Sequence, residues 1–153
     1  LVVNCTGLKA KEFVGDTALY PIRGQLQITE PLSTAKNRIL LNQTSALVTY
    51  IVPRSTDCLL GGTAEVNNWN LEVDSQTADD IRRRCETLLP ELRGLRIRKN
   101  VVGLRPARRE IRLELERQAE GAVIHNYGHG GAGYTTCWGC AASVTELANN
   151  FFG

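Results

Sequence analysis

The residues best suited to chemistry lie in one run near the C-terminal end. It reads His125-Asn126-Tyr127-Gly128-His129-Gly130-Gly131-Ala132-Gly133-Tyr134-Thr135-Thr136-Cys137-Trp138-Gly139-Cys140. Four glycines between Gly128 and Gly133 strip the backbone of side chains, so a flat or anionic ligand can reach the peptide N–H groups. A helix starting after such a turn directs its positive dipole end at the same spot. That arrangement suits a group that carries or acquires negative charge, although a plain tight turn would use the same residues. The run has neither the Gly-Lys-Ser/Thr ending of a phosphate loop nor the spacing of a dinucleotide turn. His125 and His129 with Cys137 and Cys140 also mimic a Cys2His2 zinc set. The Cys137-Trp138-Gly139-Cys140 spacing admits a redox pair, but its first thiol would sit inside the helix rather than at an exposed N-terminus.

Two further side chains stand out. Arg105 lies between Gly103-Leu104 and Pro106, so its backbone is pinned, and its planar fork can hold both oxygens of a carboxylate. Tyr50, in an apolar run before Pro53, offers a hydroxyl. An interior salt bridge and a packed tyrosine account for these two residues equally well. There is no nucleophile elbow, and no carboxylate pair stands out, since Glu114 and Glu116 alternate on one strand.

The elements that must hold these groups follow from periodicity. Residues 122–124 are apolar and β-branched and end a strand. Cys137, Ala141, Val144, Leu147, Ala148 and Phe151 recur at helical spacing. The run is therefore strand, glycine turn, helix. Residues 1–7 read as the middle of a buried strand running into Cys5-Thr6-Gly7, an ending that often edges a ligand site in α/β sheets. Residues around Lys9 and Glu12 form a loop or helical turn. A strand opens at Pro21, with Leu26 and Ile28 alternating with Gln25, Gln27 and Thr29, and ends at Pro31. After an apolar stretch at 38–41 and a polar turn at 42–45, residues 47–63 form a hairpin. Residues 67–70 are a loop. Asp74 or Ser75 caps a helix whose apolar stripe is Ile81, Cys85, Leu88 and Leu89, with Arg82, Arg83 and Arg84 on a wet face. Pro90 stops it. Residues 95–102 form one strand and 111–115 another, half exposed, with 103–108 between them. The class is α+β, or the tail half of a two-domain α/β enzyme.

Composition narrows the function. The chain has 153 residues and a net charge of +2, with no basic stripe, so neither nucleic acid nor a membrane is an expected partner. No run is long and apolar enough to span a bilayer. Five cysteines, odd in number and scattered, read as a reducing compartment rather than a disulfide framework. The glycosylation sequons at Asn4 and Asn42 read as chance. With no methionine, and Leu1-Val2-Val3-Asn4 at the start, the expectation is a fragment lacking an N-terminal portion.

Taken in order, these motifs resemble D-amino-acid oxidase. Val3-Asn4-Cys5-Thr6-Gly7, Arg23-Gly24-Gln25, Tyr50-Ile51-Val52-Pro53, and Gly61-Gly62 with Asn68-Trp69 carry part of the resemblance. The more specific part is Gly103-Leu104-Arg105-Pro106-Ala107-Arg108 with Ile111-Arg112-Leu113-Glu114, then residues 125–133 and Trp138-Gly139. The resemblance spans nearly the whole chain and implies the C-terminal half of a flavoenzyme. Its fold would be a mixed, largely antiparallel sheet forming a substrate domain over 21–120. Residues 1–20, and the strand, glycine-rich turn and helix of 121–153, would belong to an FAD-binding α/β domain whose N-terminal half is missing. The implied cofactor is FAD. The implied reaction is oxidation of D-amino acids to imino acids, with dioxygen reoxidising the flavin to give hydrogen peroxide. Arg105 would bind the substrate carboxylate, Tyr50 would assist, and the Gly131 carbonyl would accept from the amine. Thr6, Gly7, Gly130, Gly131, Ala132, Gly133, Tyr134 and Thr135 would hold the cofactor. No protein acid, base or metal is required. A homodimer is left open, in the cytoplasm, or in peroxisomes for a eukaryotic source. Family members from mammals place a second active-site tyrosine where this chain has Ala46. Glycine oxidase, D-aspartate oxidase, and a non-catalytic zinc or interaction module remain the alternatives.

Overall fold

In the computed structural model, residues 1–34, 38–43 and 48–153 are described. They form β1 (Val2–Asn4), a 3-10 turn (Gly7–Lys9) entering α1 (Ala10–Phe13), β2 (Tyr20–Thr29), β3 (Leu40–Gln43), β4 (Val48–Pro53), β5 (Cys58–Gly61) and β6 (Glu65–Val66). Then come α2 (Ser75–Leu88), a 3-10 turn (Pro90–Leu92), β7 (Ile97–Gln118), β8 (Gly121–His129), a 3-10 turn (Gly130–Ala132) and α3 (Gly133–Phe152). The chain folds as two compact units. One comprises 1–22, 66–68 and 105–153, the other 23–65 and 69–104. Residues 105–120 therefore group with the terminal strand and helix, not with 23–65 and 69–104, and β7 pairs with β8 from Arg112 to Gln118. No helix among the described residues is long and apolar enough to cross a membrane. Three expectations fall outside the described residues: Thr44 and Ser45 of the polar turn, Leu47 at the start of the hairpin, and the Ala46 position. Asn42 and Gln43, expected in that turn, instead extend β3.

In the second unit β5 lies between β2 and β4, and β3 flanks β4, all antiparallel. The expected hairpin is present, its turn closed by the Arg54 N–H donating to the Asp57 carbonyl at 2.8 Å. α2 packs on β4 and β5. Its N-cap is Asp74, whose carboxylate accepts from the Thr77 N–H at 2.7 Å. Ile81 and Cys85 enter a core with Leu32, Ile51, Cys58, Leu60 and Leu92. Burial pushes the Cys85 thiol up to about 11, so it is an inert core group.

The wet arginine face holds for Arg83 only. Arg84 reaches the Thr49 hydroxyl at 2.8 Å and the Gly62 carbonyl at 3.3 Å, and Arg82 binds Glu86 and the Leu92 carbonyl. Helix carbonyls satisfy their own ladder, so long side chains on the flank fasten neighbouring backbone that lacks partners. β2 also departs from a simple pattern. Gln25, Gln27 and Thr29 are buried, while Leu26 and Ile28 are half-buried. The Gln25 amide bonds both backbone groups of Asp74, and Gln27 donates to Asn100 at 3.0 Å. Buried amides are tolerated because they are paired.

In the first unit β1 runs parallel to β8, with Asn4 opposite His125, and β8 is antiparallel to β7, with Glu114 opposite His125. β7 is one strand of 22 residues, not two separated at 103–108. Ala107 faces His129, yet Arg112 already faces Tyr127, so β7 carries an irregularity just after Pro106. A strand accepts proline next to such a bulge because no ladder N–H is demanded there. β1 is not the buried strand expected: Val2 is 61% and Val3 45% exposed, and of its three residues only Asn4 is buried. α3 lies on β8 and buries Cys140. Val144, Leu147, Ala148 and Phe151 of its expected stripe are half-buried, whereas Cys137 and Ala141 are exposed.

Candidate functional site

Three backbone segments of the first unit meet. A Cβ built on Gly131 would lie 3.7 Å from the Arg105 Cδ, and one on Gly130 would lie 3.6 Å from the Ala107 Cβ. A Cβ on Gly7 would lie 3.4 Å from the Pro106 Cγ. Residues 105–107 of β7 thus lie next to both the Thr6-Gly7 turn and the glycine turn after β8. Gly7 and Gly130 hold φ +59 and φ +55, left-handed values that glycine adopts freely. Neither the 3-10 turn at Gly130 nor the start of α3 has a side-chain cap. The first-turn N–H groups there thus receive no side-chain acceptor. Gly131, Ala132, Tyr134 and Thr135 are exposed around them, Tyr134 at 98%. The expected residues Arg105, Thr6, Gly7, Gly130, Gly131, Ala132, Gly133, Tyr134 and Thr135 all belong to this unit.

Tyr50 belongs to the other unit, on β4, and is half-buried. Its ring lies across the end of β5. A Cβ at Gly61 would sit 2.0 Å from its Cζ, and one at Gly62 2.9 Å from its hydroxyl oxygen. The two glycines leave the space the ring occupies.

Below the glycine turn lies a buried polar network that the spacing of residues did not announce. Tyr127 donates its hydroxyl to Asp16 at 2.7 Å, and Arg112 donates to the Tyr127 oxygen at 2.9 Å. Arg108 Nε lies 3.2 Å from the same Asp16 carboxylate, and Ala18 N–H donates to it at 2.9 Å. Burial pushes the Asp16 carboxyl up, but Tyr127, the Ala18 N–H, Arg108 and Arg112 together hold it below the ordinary carboxylate value. Arg112 also binds Glu114 and Glu116 at 2.6 and 2.7 Å. Desolvation would lower the Arg112 pKa, yet its bonds to Glu114 and Tyr127 raise it. Gly128 holds φ +90, and a Cβ there would come within 2.9 Å of Arg108. Sequence could show the arginines and the tyrosine, but Asp16 is 111 residues from Tyr127 and carries no local signal.

The zinc alternative finds no support in this geometry. His125 is fully buried against Glu116 and Asn4, while His129 meets the Cys140 sulfur at 3.4 Å. Cys137 donates to the Tyr134 carbonyl within the helix. Among the described residues no three His, Cys, Asp or Glu side chains gather as metal ligands.

The glycine turn, the uncapped start of α3 and the Arg105 segment of β7 thus lie together in the first unit. The family profile described as FAD dependent oxidoreductase matches residues 1–147. The chain belongs to this family. D-amino-acid oxidase from Rubrobacter xylanophilus is 49% identical over 150 residues, covering 97% of this chain and 45% of that protein. The Streptomyces coelicolor D-amino-acid oxidase is 46% identical over 150 residues, covering 97% and 47%. Human D-aspartate oxidase is 37% identical over 154 residues, covering 97% and 44%. The chain thus spans a little under half the length of the curated relatives it matches. Among solved structures, glycine oxidase from Bacillus cereus superposes with a TM-score of 0.82 at 18% identity, covering 97% of this chain and 42% of that one. At that identity the likeness shows the fold of the family: a mixed, largely antiparallel sheet with a C-terminal helix.

Proposed function

We propose that this chain supplies the substrate contacts and the flavin loop of an FAD-dependent oxidase acting on neutral or basic D-amino acids. The observation that carries the reading is the approach of the Arg105 arm to Gly131, its Cδ 3.7 Å from where a Cβ on that glycine would lie, beside an uncapped helix start. When bound, FAD supplies the acceptor for a hydride from the substrate α-carbon, and dioxygen then takes the electrons to give hydrogen peroxide. The family resemblance supports residues 1–20 and 121–153 as flavin-binding and 21–120 as substrate-binding.

Each protein group then has a limited task. Arg105 grips the substrate carboxylate through two parallel N–H···O bonds, which fix orientation as well as affinity. Tyr50 adds its hydroxyl, and the Gly131 carbonyl accepts from the substrate amine. Thr6, Gly7 and the backbone of residues 130–135 hold the cofactor, and the first-turn N–H groups stabilise negative charge as it develops. With the cofactor performing the redox step, no protein nucleophile is needed.

Substitution of Arg105 in the full-length enzyme tests this. Arg105→Ala is expected to raise KM and lower kcat while FAD stays bound. The loss should be roughly 2–5 kcal/mol, about 30-fold to several thousand-fold in kcat/KM. Arg105→Lys should recover part, since it keeps charge without the planar fork. A kcat/KM for Arg105→Ala within about threefold of wild type would end the carboxylate assignment. Ala64, after Gly61-Gly62-Thr63, offers no charge to a second carboxylate, and an unpaired charge in a desolvated pocket is costly. D-alanine should therefore exceed D-aspartate in kcat/KM, and the reverse order would favour a D-aspartate oxidase.

A further inference from the structure

The fully buried His125 has no task in the proposed reaction, yet it sits in the middle of a directed chain of hydrogen bonds. At one end, Glu116 Oε2 lies 3.1 Å from His125 Nε2, and Arg112 clamps the same oxygen at 2.7 Å. At the other, His125 Nδ1 lies 3.4 Å from Asn4 Nδ2. Asn4 Oδ1 in turn accepts from the Thr6 N–H at 3.1 Å and from the Thr6 hydroxyl at 2.7 Å. The polarity of the whole chain is determined. An ionised, arginine-clamped carboxylate only accepts, so His125 carries its proton on Nε2 and Nδ1 accepts. The Thr6 N–H only donates, so the Asn4 oxygen faces Thr6 and its NH2 faces His125. Both ends demand the same tautomer.

We propose that His125 is a positioning residue for the cofactor turn: anchored by Glu116, it fixes the Asn4 amide, and Asn4 fixes the Thr6 hydroxyl with its proton turned inward. Thr6 then presents lone pairs outward beside Gly7, so the turn accepts a hydrogen bond from a hydroxyl or N–H donor of the ligand. Thr6 is itself exposed, whereas Asn4 and His125 are 7% and 0% exposed. A hydroxyl rotor in water has no preferred direction, and here the direction is set two side chains away in the core. This proposal rests on the reading of Thr6-Gly7 as a cofactor turn.

The experiment compares two amides at position 125 in the full-length protein. Asn places its side-chain oxygen where His125 Nδ1 lies, whereas Gln places its polar group nearer Nε2. FAD affinity is read by flavin fluorescence on mixing with apoprotein. His125→Asn is expected within about threefold of wild type, and His125→Gln about tenfold weaker or more. Thr6→Val should weaken binding similarly, and adding His125→Gln to it should change nothing further, because the relay ends at Thr6. Equal affinities for His125→Gln, His125→Asn and wild type overturn the proposal, as does additivity in the double variant. A second readout needs neither variant nor flavin. Nitrogen-15 NMR of labelled histidine in the wild-type protein should show His125 as the Nε2–H tautomer, and the Nδ1–H tautomer overturns the relay. Wild-type protein that binds no FAD, yet shows the Nε2–H tautomer, would refute the cofactor reading instead and support the relay's geometry.

Discussion

Gly61→Ala tests how tightly the Tyr50 ring is held. The added methyl would sit 2.0 Å from Cζ, 2.3 Å from Cε2 and 2.3 Å from the hydroxyl oxygen of Tyr50. Carbon atoms in contact sit at about 3.5–4.0 Å, so the ring must retreat by about 1.5 Å or more. The backbone cannot yield instead. Gly61 pairs with Tyr50 on one side and Leu26 on the other, in the middle strand of three. Overpacking of this kind costs about 1–3 kcal/mol. The reduced entropy of an unfolded alanine returns only about 0.4–1 kcal/mol, so net destabilisation is the expected sign. The cost belongs to one pair of groups and should disappear when the ring is removed. Urea unfolding of wild type, Gly61→Ala, Tyr50→Ala and the double variant forms a double-mutant cycle. The coupling should be about 1–2 kcal/mol, with the double variant more stable than the sum of the singles implies. Additivity within about 0.5 kcal/mol would show that the ring does not depend on the bare backbone of β5.

Three other outcomes follow from the same geometry. Gly128→Ala, at φ +90 and against Arg108, should lower the Tm of the full-length protein by several degrees, whereas Gly131→Ala, whose methyl meets only ordinary contact at 3.7 Å, should fold normally and raise KM; equal Tm shifts would refute the distinction. Asp16→Asn should cost about 1–3 kcal/mol at pH 7 in denaturant unfolding, because a buried acceptor for Tyr127, Arg108 and Arg112 loses its charge. The Asp16 pKa is depressed in the fold, so this contribution is present above the unfolded value near 3.9 and fades as pH falls through the folded one, and a wild-type advantage that persists below that range would contradict the assignment. The 153-residue chain by itself leaves Val2, Val3, Tyr134 and Trp138 uncovered and should lose FAD on dialysis, so a preparation that stays yellow would refute that reading.

Local chemistry was readable wherever it was local. The strand, glycine turn and helix at the end of the chain, the hairpin before Asp57, and the cap at Asp74 each announce themselves within a few residues. Gly103 to Pro106 misled, because proline and glycine punctuate strands unless a bulge admits them, and the bulge depends on pairing with β8. Arg82, Arg84, Gln25 and Gln27 read as solvent-facing by type, but partners from distant segments draw them inward. Arg105 was legible as a rigid arginine, while its approach to Gly131 required the fold. The network around Asp16 and the relay through His125 were invisible for the same reason, since Asp16 lies 111 residues from Tyr127 and Asn4 lies 121 from His125.

The parallel pairing of β1 with β8 sets a timetable for synthesis. Asn4 leaves the ribosome about 120 residues ahead of His125, an interval of roughly 6–24 s at typical elongation rates. Throughout that time the Thr6 turn has no Asn4–His125 bond to shape it, and Val2 and Val3 lack their β8 partners Val123 and Ile124. The Thr6 turn therefore gains its Asn4–His125 support only after His125 has emerged.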